Sequence, residues 1–210
     1  MTASFNIEVN RADVKDAVSL FEFVGGNTAD ALRIAINKTA PKVRTTTSRA
    51  IRDQVRLSAS YVNERITVVK ATRAKLTGAI KTPSRGLLLS RFSTDSTIAG
   101  DNVSWIRPPK VPKTGIRVKI KPDGGAKAAP GLNGNKPFYI VLNGGKNVGI
   151  AARLGSSKKG IKVFSGPSLS QVFDSLREKL LPGAADEYQF QLLDAMRFIL
   201  VKKHPLEPVL

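Results

Sequence analysis

The sequence predicts an α+β fold with a small antiparallel sheet, and three observations support this class. Helical periodicity marks both ends of the chain, strand-like alternation occupies the middle, and glycines and prolines separate the strand-like segments. Helices followed by strands and then by helices are typical of α+β proteins, because parallel sheets need strands that alternate with helices. With 210 residues, we expect one domain over residues 1–210.

Two helices are predicted near the N-terminus. Residues 12–24 place apolar side chains at helical spacing, and two glycines follow them. A longer helix is predicted over residues 30–60, with Asn27 or Thr28 as its cap. Pro41 interrupts the longer pattern, so the chain either kinks there or begins a new helix.

The longer helix has an apolar stripe on one side and a row of cations, the basic ridge, on the other. At about 100° per residue, the stripe stays within roughly 60° of Ile36 and the ridge lies at roughly 160–240°. The stripe consists of Leu32, Ile36, Ala40, Val43, Thr47, Ala50 and Ile51. The basic ridge consists of Lys38, Lys42, Arg49, Arg52 and Arg56. The exposed face of a solvated helix normally mixes acids with bases, whereas Asp53 is the only acid among these cations. The scarcity of acids favours a functional surface, and a solvated face is the alternative.

The middle of the chain predicts short strands and long loops. A short helix is expected at residues 61–66, and "AKLTGAIK" predicts a strand. The stretch "GIRVKIKP" predicts a half-buried strand whose outer face is the basic comb Arg117, Lys119 and Lys121. Its glycines and prolines predict that residues 122–137 form a mobile loop or arm outside the core. The loop residues expected to contact another subunit are Pro122, Asp123, Lys127 and Leu132.

The glycine-rich stretch "LNGGKNVG" raises the question of phosphate binding. A P-loop requires glycine five residues before its Gly-Lys pair and a hydroxyl residue after it. Ile140 and Asn147 occupy those two positions. Because β-forming residues flank the glycines on both sides, we predict a β-hairpin instead.

Two helices are predicted at the C-terminus. Ser168 or Ser170 caps the first, and Pro182-Gly183 breaks it before the second begins. A short tail follows at residues 204–210.

The charge of the chain indicates a polyanionic partner. Thirty-four Lys and Arg against sixteen Asp and Glu give a net charge of +18. The excess lies in the middle, since residues 33–91 hold fourteen cations and two acids, whereas residues 1–32 and 163–210 are slightly acidic. Charge alone leaves DNA, RNA, an anionic lipid surface and an acidic protein face open.

The residues that enzymes use are scarce. The chain has no cysteine, which excludes a thiolate metal site, and its single histidine, His204, follows the last apolar run, where a histidine is far more often solvated than catalytic. Because the acids are also mostly at helix ends, we predict no metal cage and no Ser-His-Asp triad. The acidic pairs Asp186-Glu187 and Asp174/Glu178 are explained by helix ends and i,i+4 spacing. We therefore expect no enzyme, no catalytic or metal-binding residue and no cofactor. No run of eighteen apolar residues is present, so we expect no membrane partner.

Residues 29–75 resemble the minor tail protein Z family of long-tailed phages, which are tail completion proteins, and the resemblance spans most of residues 11–200. The pattern is "A-x-x-x-A-I-N-x-T-A" followed by an Arg-rich stretch and "V-x-x-x-R-I-x-V-x-x-A-T". The matching residues are Ala31, Ala35, Ile36, Asn37, Thr39, Ala40, Val62, Arg65, Ile66, Val68, Ala71 and Thr72. The second half matches more loosely, through Gly166-Pro167-Ser168, Leu180-Leu181-Pro182 and Leu192-Leu193.

This resemblance implies a structural virion protein, made in the host cytoplasm, that completes the tail tube at its head-proximal end and helps to position the genome end for ejection. It implies a ring, most simply a hexamer, whose partners are the tail tube, tail terminator or neck proteins and the phage double-stranded DNA. Such a ring suits a basic lumen that contacts phosphates without reading sequence. Either the basic ridge or the basic comb could face that lumen, and a cytoplasmic nucleic-acid-binding protein without sequence preference is the alternative function.

Overall fold

The structure is a computed structural model that describes residues 4–7, 19, 21–22, 27–99, 105–156 and 160–203. It confirms the α+β class. The strands form three antiparallel sheets, where the sequence predicted one. Of the predicted helix at 12–24, Ser19, Phe21 and Glu22 are helical; its other residues, and the tail at 204–210 with His204, lie outside the described residues.

The chain divides into two compact units. Unit 1 contains the described parts of residues 1–48, 65–82 and 173–210, and unit 2 contains those of residues 49–64 and 83–172. Both are discontinuous in sequence, which is why patterns along the chain do not separate them.

Unit 1 contains a three-stranded sheet and parts of two long helices. The sheet has the order β1 (Ser4–Ile7), β3 (Gly78–Lys81), β2 (Thr67–Val69), with both pairings antiparallel. Helix α1 (Thr28–Gln54) begins after Asn27, whose Oδ1 accepts a hydrogen bond from the Asp30 amide at 3.1 Å. Asn27 is therefore the N-cap.

Helix α1 passes through Pro41 without interruption. Proline inside a helix costs about 3 kcal/mol, because it removes one backbone donor and crowds the preceding turn. The burial of the predicted stripe offsets this cost. Five of its residues are buried and two are half-buried; the buried ones are Ile36, Ala40, Val43, Thr47 and Ile51, and the half-buried ones are Leu32 and Ala50. At about 1.5–3 kcal/mol for each large apolar side chain, burial of the stripe keeps the helix intact.

Two close contacts fix α1 within unit 1. The Asn37 side chain donates to the Ala71 carbonyl at 3.0 Å and accepts from the Ala71 amide at 2.8 Å. A Cβ on Gly78 would lie 2.5 Å from the Ile36 Cγ2 atom, so the helix crosses β3 where the sheet has no side chain. Most residues that carry the family resemblance, including Ala35, Ile36 and Ala71, are buried.

Helix α4 (Leu169–Lys203) corrects the prediction of two C-terminal helices, because it continues through Pro182 and Gly183. Ser168 caps it: Ser168 Oγ accepts from the Gln171 amide, and Gln171 Oε1 accepts from the Ser168 amide, which is a capping box. The reason for the continuity is a buried face on both sides of the proline. Its members are Leu169, Val172, Phe173, Leu176, Ala184, Tyr188, Leu192, Ala195 and Met196.

Unit 2 combines short helices with two small sheets. The helical elements are α2 (Ala59–Arg65), a 3₁₀ turn (Leu89–Phe92) and α3 (Ser96–Ala99). One sheet pairs β4 (Arg117–Val118) with β5 (Lys127–Ala128), and the other has the order β6 (Phe138–Leu142), β7 (Asn147–Arg153), β8 (Ile161–Val163). The 3₁₀ turn joins both sheets, since the Lys119 amide donates to the Phe92 carbonyl and the Leu89 amide to the Phe164 carbonyl.

The predicted hairpin at the glycine-rich stretch is confirmed. Strands β6 and β7 pair antiparallel, with Leu142 opposite Asn147. Asn143, Gly144 and Gly145 in the connection have positive φ angles of 53°, 62° and 95°. These left-handed conformations favour Asn and Gly, so the turn accounts for the glycines in this stretch.

The segment 122–137 is held to its surroundings more firmly than the sequence predicted. Strand β5 pairs with β4, and Ala129 is buried, with its amide donating to the Ile116 carbonyl at 2.8 Å. Asn133 and Asn135 donate side-chain hydrogen bonds to the Leu154 and Arg153 carbonyls. Composition does not reveal these bonds, because each one joins the loop to a segment distant in sequence.

Candidate nucleic-acid interface

The basic ridge of α1 is divided between the two units. In unit 1, Lys38 Nζ lies 2.6 Å from Asp194 Oδ2, and Lys42 Nζ lies 2.7 Å from Glu187 Oε1. Hydrogen bonds from Lys38 and Lys42 hold the pKa values of Asp194 and Glu187 below their ordinary values. These two cations therefore already face carboxylates of α4 within their own chain.

Glu187 has a structural role in this arrangement. Besides Lys42, it accepts a hydrogen bond from Gln191 Nε2 at 2.8 Å. It lines a cleft between α1 and α4, together with Thr46, Lys179 and Gly183. Lys42 and Gln191 thus both donate to this carboxylate within unit 1. The predicted helix start at Asp186-Glu187 is wrong, because both residues lie inside α4.

In unit 2, the C-terminal part of the ridge reaches the protein surface. Arg49 and Arg56 are exposed and Arg52 is half-buried. Arg49 and Arg52 are three positions apart on one face of α1, whereas Arg56 lies two residues beyond Gln54, where the helix ends earlier than the predicted residue 60. The Arg56 Nη1 atom donates to the Ser93 carbonyl at 3.0 Å, which occupies one of the five guanidinium donors.

The structure brings the basic comb next to this end of the ridge. The Arg56 amide donates to the Ile120 carbonyl at 2.7 Å, which places the end of α1 directly beside the backbone that carries Lys119 and Lys121. The regular strand is shorter than predicted, because β4 contains only Arg117 and Val118. The sequence presents the ridge and the comb as alternative lumen faces, but in unit 2 they are neighbours.

The comb keeps the alternation that the sequence predicted. Ile116 and Val118 are buried, whereas Arg117 and Lys121 are exposed and Lys119 is half-buried. The Arg117 Nη2 atom donates to the Ala126 carbonyl at 2.8 Å, which ties this guanidinium to the turn that precedes β5. We name the ridge and comb cations of unit 2 the basic cluster: Arg49, Arg52, Arg56, Arg117, Lys119 and Lys121.

The basic cluster belongs to the more basic part of the chain. Residues 49–64 and 83–172, which contribute unit 2, hold 18 Lys and Arg against 5 Asp and Glu. The rest of the chain holds 16 against 11. A local excess of this size attracts polyanions, and the attraction falls with added salt.

The residues predicted to contact another subunit belong to unit 2. Pro122, Asp123 and Lys127 are exposed, and Leu132 is half-buried and bridged to Asn135. Lys127 lies opposite Val118 in the β4–β5 pair. Their exposure leaves three of the four accessible to a neighbour, and their role in assembly stays a prediction.

Two exposed apolar features were not predicted from the sequence. One is the outer face of α4, where Phe190, Leu193, Phe198 and Val201 are more than half exposed. The other is the segment 106–114, in which Ile106 is 96% exposed. For the outer face of α4, the sign in the sequence is a helix with apolar residues on more sides than its buried face requires.

In the part of the chain that the structure describes, no three His, Cys, Asp or Glu side chains are grouped so that they could hold a metal ion. Across the same residues, none of the helices has the length and apolar character needed to span a membrane.

Comparison with known proteins finds no match to this chain among family models, curated proteins or solved structures.

Proposed function

We propose that this protein is a structural subunit of a phage virion that completes the tail tube at its head-proximal end. In this role it forms a ring, most simply a hexamer, and contacts the tail tube and the tail terminator or neck proteins. The basic cluster faces the DNA that passes through the ring and helps to position the genome end for ejection. The observation that carries the proposal is the hydrogen bond from the Arg56 amide to the Ile120 carbonyl, which brings the chain after α1 beside the backbone of the comb within unit 2.

The composition of the cluster supports contact with phosphates. Its members are Arg and Lys, which neutralise phosphates. A channel that passes a whole genome has to tolerate every sequence. Phosphate contacts meet that requirement because they carry no sequence information.

The proposed position in the virion rests on the family resemblance, and the burial of the matching residues is compatible with that resemblance. The residues that match the family pattern are mostly buried, as expected for a pattern that preserves a fold. A solvated, variable surface for function around a preserved core is the usual division in structural proteins. The cytoplasmic nucleic-acid-binding alternative shares the basic cluster but does not require a ring.

The DNA contact is tested by the salt dependence of binding. Each cation that neutralises a phosphate contributes about 0.9 to the slope of log K against log salt concentration. The triple variant Arg49→Gln, Arg52→Gln, Arg56→Gln is expected to bind unrelated duplexes more weakly than the wild type, with a slope shallower by about 2–3. Glutamine has nearly the helix propensity of arginine, so α1 is retained. Fluorescence anisotropy at several salt concentrations measures the slope.

The double variant Lys38→Gln, Lys42→Gln is the matched control on the same helix. Both lysines already face carboxylates, so their loss is expected to change the slope less than the loss of two arginines. The variant Lys119→Gln, Lys121→Gln tests the comb by the same measurement and is expected to reduce the slope by about 1–2. If both cluster variants bind DNA like the wild type, the basic cluster is not a DNA surface.

A further inference from the structure

Residues 106–114 form an exposed basic segment of unit 2 that lies outside the basic cluster. Arg107, Lys110 and Lys113 are exposed, and none of the three makes an ion pair or a side-chain hydrogen bond with another described residue. Residues 102–122, which surround them, hold six Lys and Arg and no acid. The segment therefore carries positive charge that no described neighbour neutralises. We name Arg107, Lys110 and Lys113 the loop cations.

The backbone of this segment is restricted although it lies on the surface. At one end, the Trp105 amide donates to the Gly145 carbonyl at 2.9 Å. At the other end, the Gly115 amide donates to the Pro112 carbonyl at 2.9 Å, and Ile116 is buried. Three prolines lie between these two anchors, and each of them fixes one backbone angle. Less conformational entropy is therefore lost when the segment binds a partner.

The segment leads directly into the basic comb. Lys113 and Thr114 form a turn, and Arg117 begins β4 three residues later. Because four residues separate Lys113 from Arg117, their Cα atoms are at most about 14 Å apart. Each strand of a duplex carries one phosphate for about every 3.4 Å of axis. A duplex that contacts the comb therefore offers several phosphates within this distance.

We infer that the loop cations bind phosphates of the same DNA duplex that the basic cluster contacts. The inference rests on the proposed DNA contact of unit 2 and adds three residues to it. Unpaired cations on a restricted backbone, next to other cations, can neutralise successive phosphates without reading sequence.

The composition of the segment favours a nucleic acid over an acidic protein as the partner. Two of the three loop cations are lysines. Lysine is depleted in protein–protein interfaces, whereas Lys and Arg provide many of the contacts to phosphates. Protein interfaces also pair charges of both signs to fix their register, and residues 102–122 supply cations alone.

The salt dependence of duplex binding measures the contribution of the loop cations. The triple variant Arg107→Gln, Lys110→Gln, Lys113→Gln is expected to bind unrelated duplexes more weakly than the wild type. Its slope of log K against log salt concentration is expected to be shallower by about 2–3, because each lost phosphate contact removes about 0.9. Fluorescence anisotropy at several salt concentrations gives the slope.

A second triple variant controls for net charge. Lys70→Gln, Lys75→Gln, Lys81→Gln removes the same charge from exposed lysines of unit 1. These lysines lie outside the inferred surface and act on DNA only through the screened field of the whole protein, so the slope is expected to change by less than about 1. All six substituted positions are exposed, so both variants are expected to fold, and circular dichroism checks this.

Tethered cleavage tests the position of the segment without relying on affinity. The natural chain contains no cysteine, so a single introduced thiol can carry an iron–EDTA group. Ile106→Cys places the group beside Arg107 at a position that is 96% exposed. We expect cleavage of bound duplexes regardless of their sequence. Leu181→Cys, at an exposed position of unit 1, is the control and is expected to cleave far less.

The outcomes separate this inference from the proposed function. If the variants of the basic cluster lose slope, but the loop variant does not and the label at position 106 cleaves no more than the control, the inference is wrong and the proposed DNA contact stands. Equal losses of slope in the loop variant and the unit 1 variant would mean that net charge alone acts, and the inference is again wrong. A loop variant that keeps its slope but no longer forms rings would identify an acidic protein as the partner. If the wild type binds no duplex, the inference and the proposed DNA contact are both wrong.

Discussion

Gly78→Val is expected to destabilise unit 1 by about 3 kcal/mol or more, the largest effect that we predict for a single substitution. A Cβ at this position would lie 2.5 Å from Ile36 Cγ2 and 3.5 Å from the Val69 carbonyl oxygen. Ile36 is completely buried and its branched side chain has little rotamer freedom, so neither side can relax cheaply. Urea unfolding followed by circular dichroism measures the loss.

Two companion variants show whether the steric explanation is right. A Cβ added at Gly183, inside α4, would meet no neighbouring atom within 4 Å, so Gly183→Ala is expected to stabilise the helix by about 0.5–1 kcal/mol. Ile36→Ala combined with Gly78→Val is expected to cost less than the sum of the two single changes. An unchanged urea midpoint for Gly78→Val would mean that α1 does not cross β3 at this distance.

Asn37→Leu is expected to lower the free energy of unfolding by about 2–4 kcal/mol. The leucine has a similar volume but neither accepts from the Ala71 amide nor donates to the Ala71 carbonyl. Ala71 is 5% exposed, so both of its backbone groups would be left without these partners and largely shielded from water. The cost is therefore larger than that of an average surface substitution.

Hydrogen exchange provides a local measurement for the same variant. The Ala71 amide is expected to be protected in the wild type and to exchange markedly faster in Asn37→Leu. Gln54→Leu, an exposed change at the end of the same helix, is the control and is expected to leave Ala71 protected. Equal protection of Ala71 in all three proteins would contradict the role assigned to Asn37.

Local patterns predict the features that depend on neighbouring residues. The stripe of α1, the Ser168 cap and the hairpin with Gly144 each follow from spacing or turn chemistry over a few residues. The same turn chemistry separates the hairpin from a P-loop, because the positions that a P-loop requires are occupied by Ile140 and Asn147. These features are set by backbone conformation and periodicity, which one sequence displays directly.

The remaining features depend on contacts between distant parts of the chain. Pro182 predicts a helix break because its local cost is evident, whereas the burial that offsets this cost belongs to tertiary structure. The ridge has the pattern of one surface, but the carboxylates that pair with Lys38 and Lys42 lie about 150 residues away in α4. The hydrogen bond from the Arg56 amide to the Ile120 carbonyl is likewise not predictable from the sequence, although both rows of cations are evident there.

Electron microscopy of the purified full-length protein tests the central claim most directly, with the mass in solution measured by light scattering on the same sample. The account predicts closed rings with a central hole and a mass near six times the 22.6 kDa of one subunit. The account also predicts that the protein forms rings at the ends of phage tail tubes. Monomers alone at micromolar concentration, with no ring on added tail tubes, would contradict the account, and monomers that still bind nucleic acid would favour the cytoplasmic alternative.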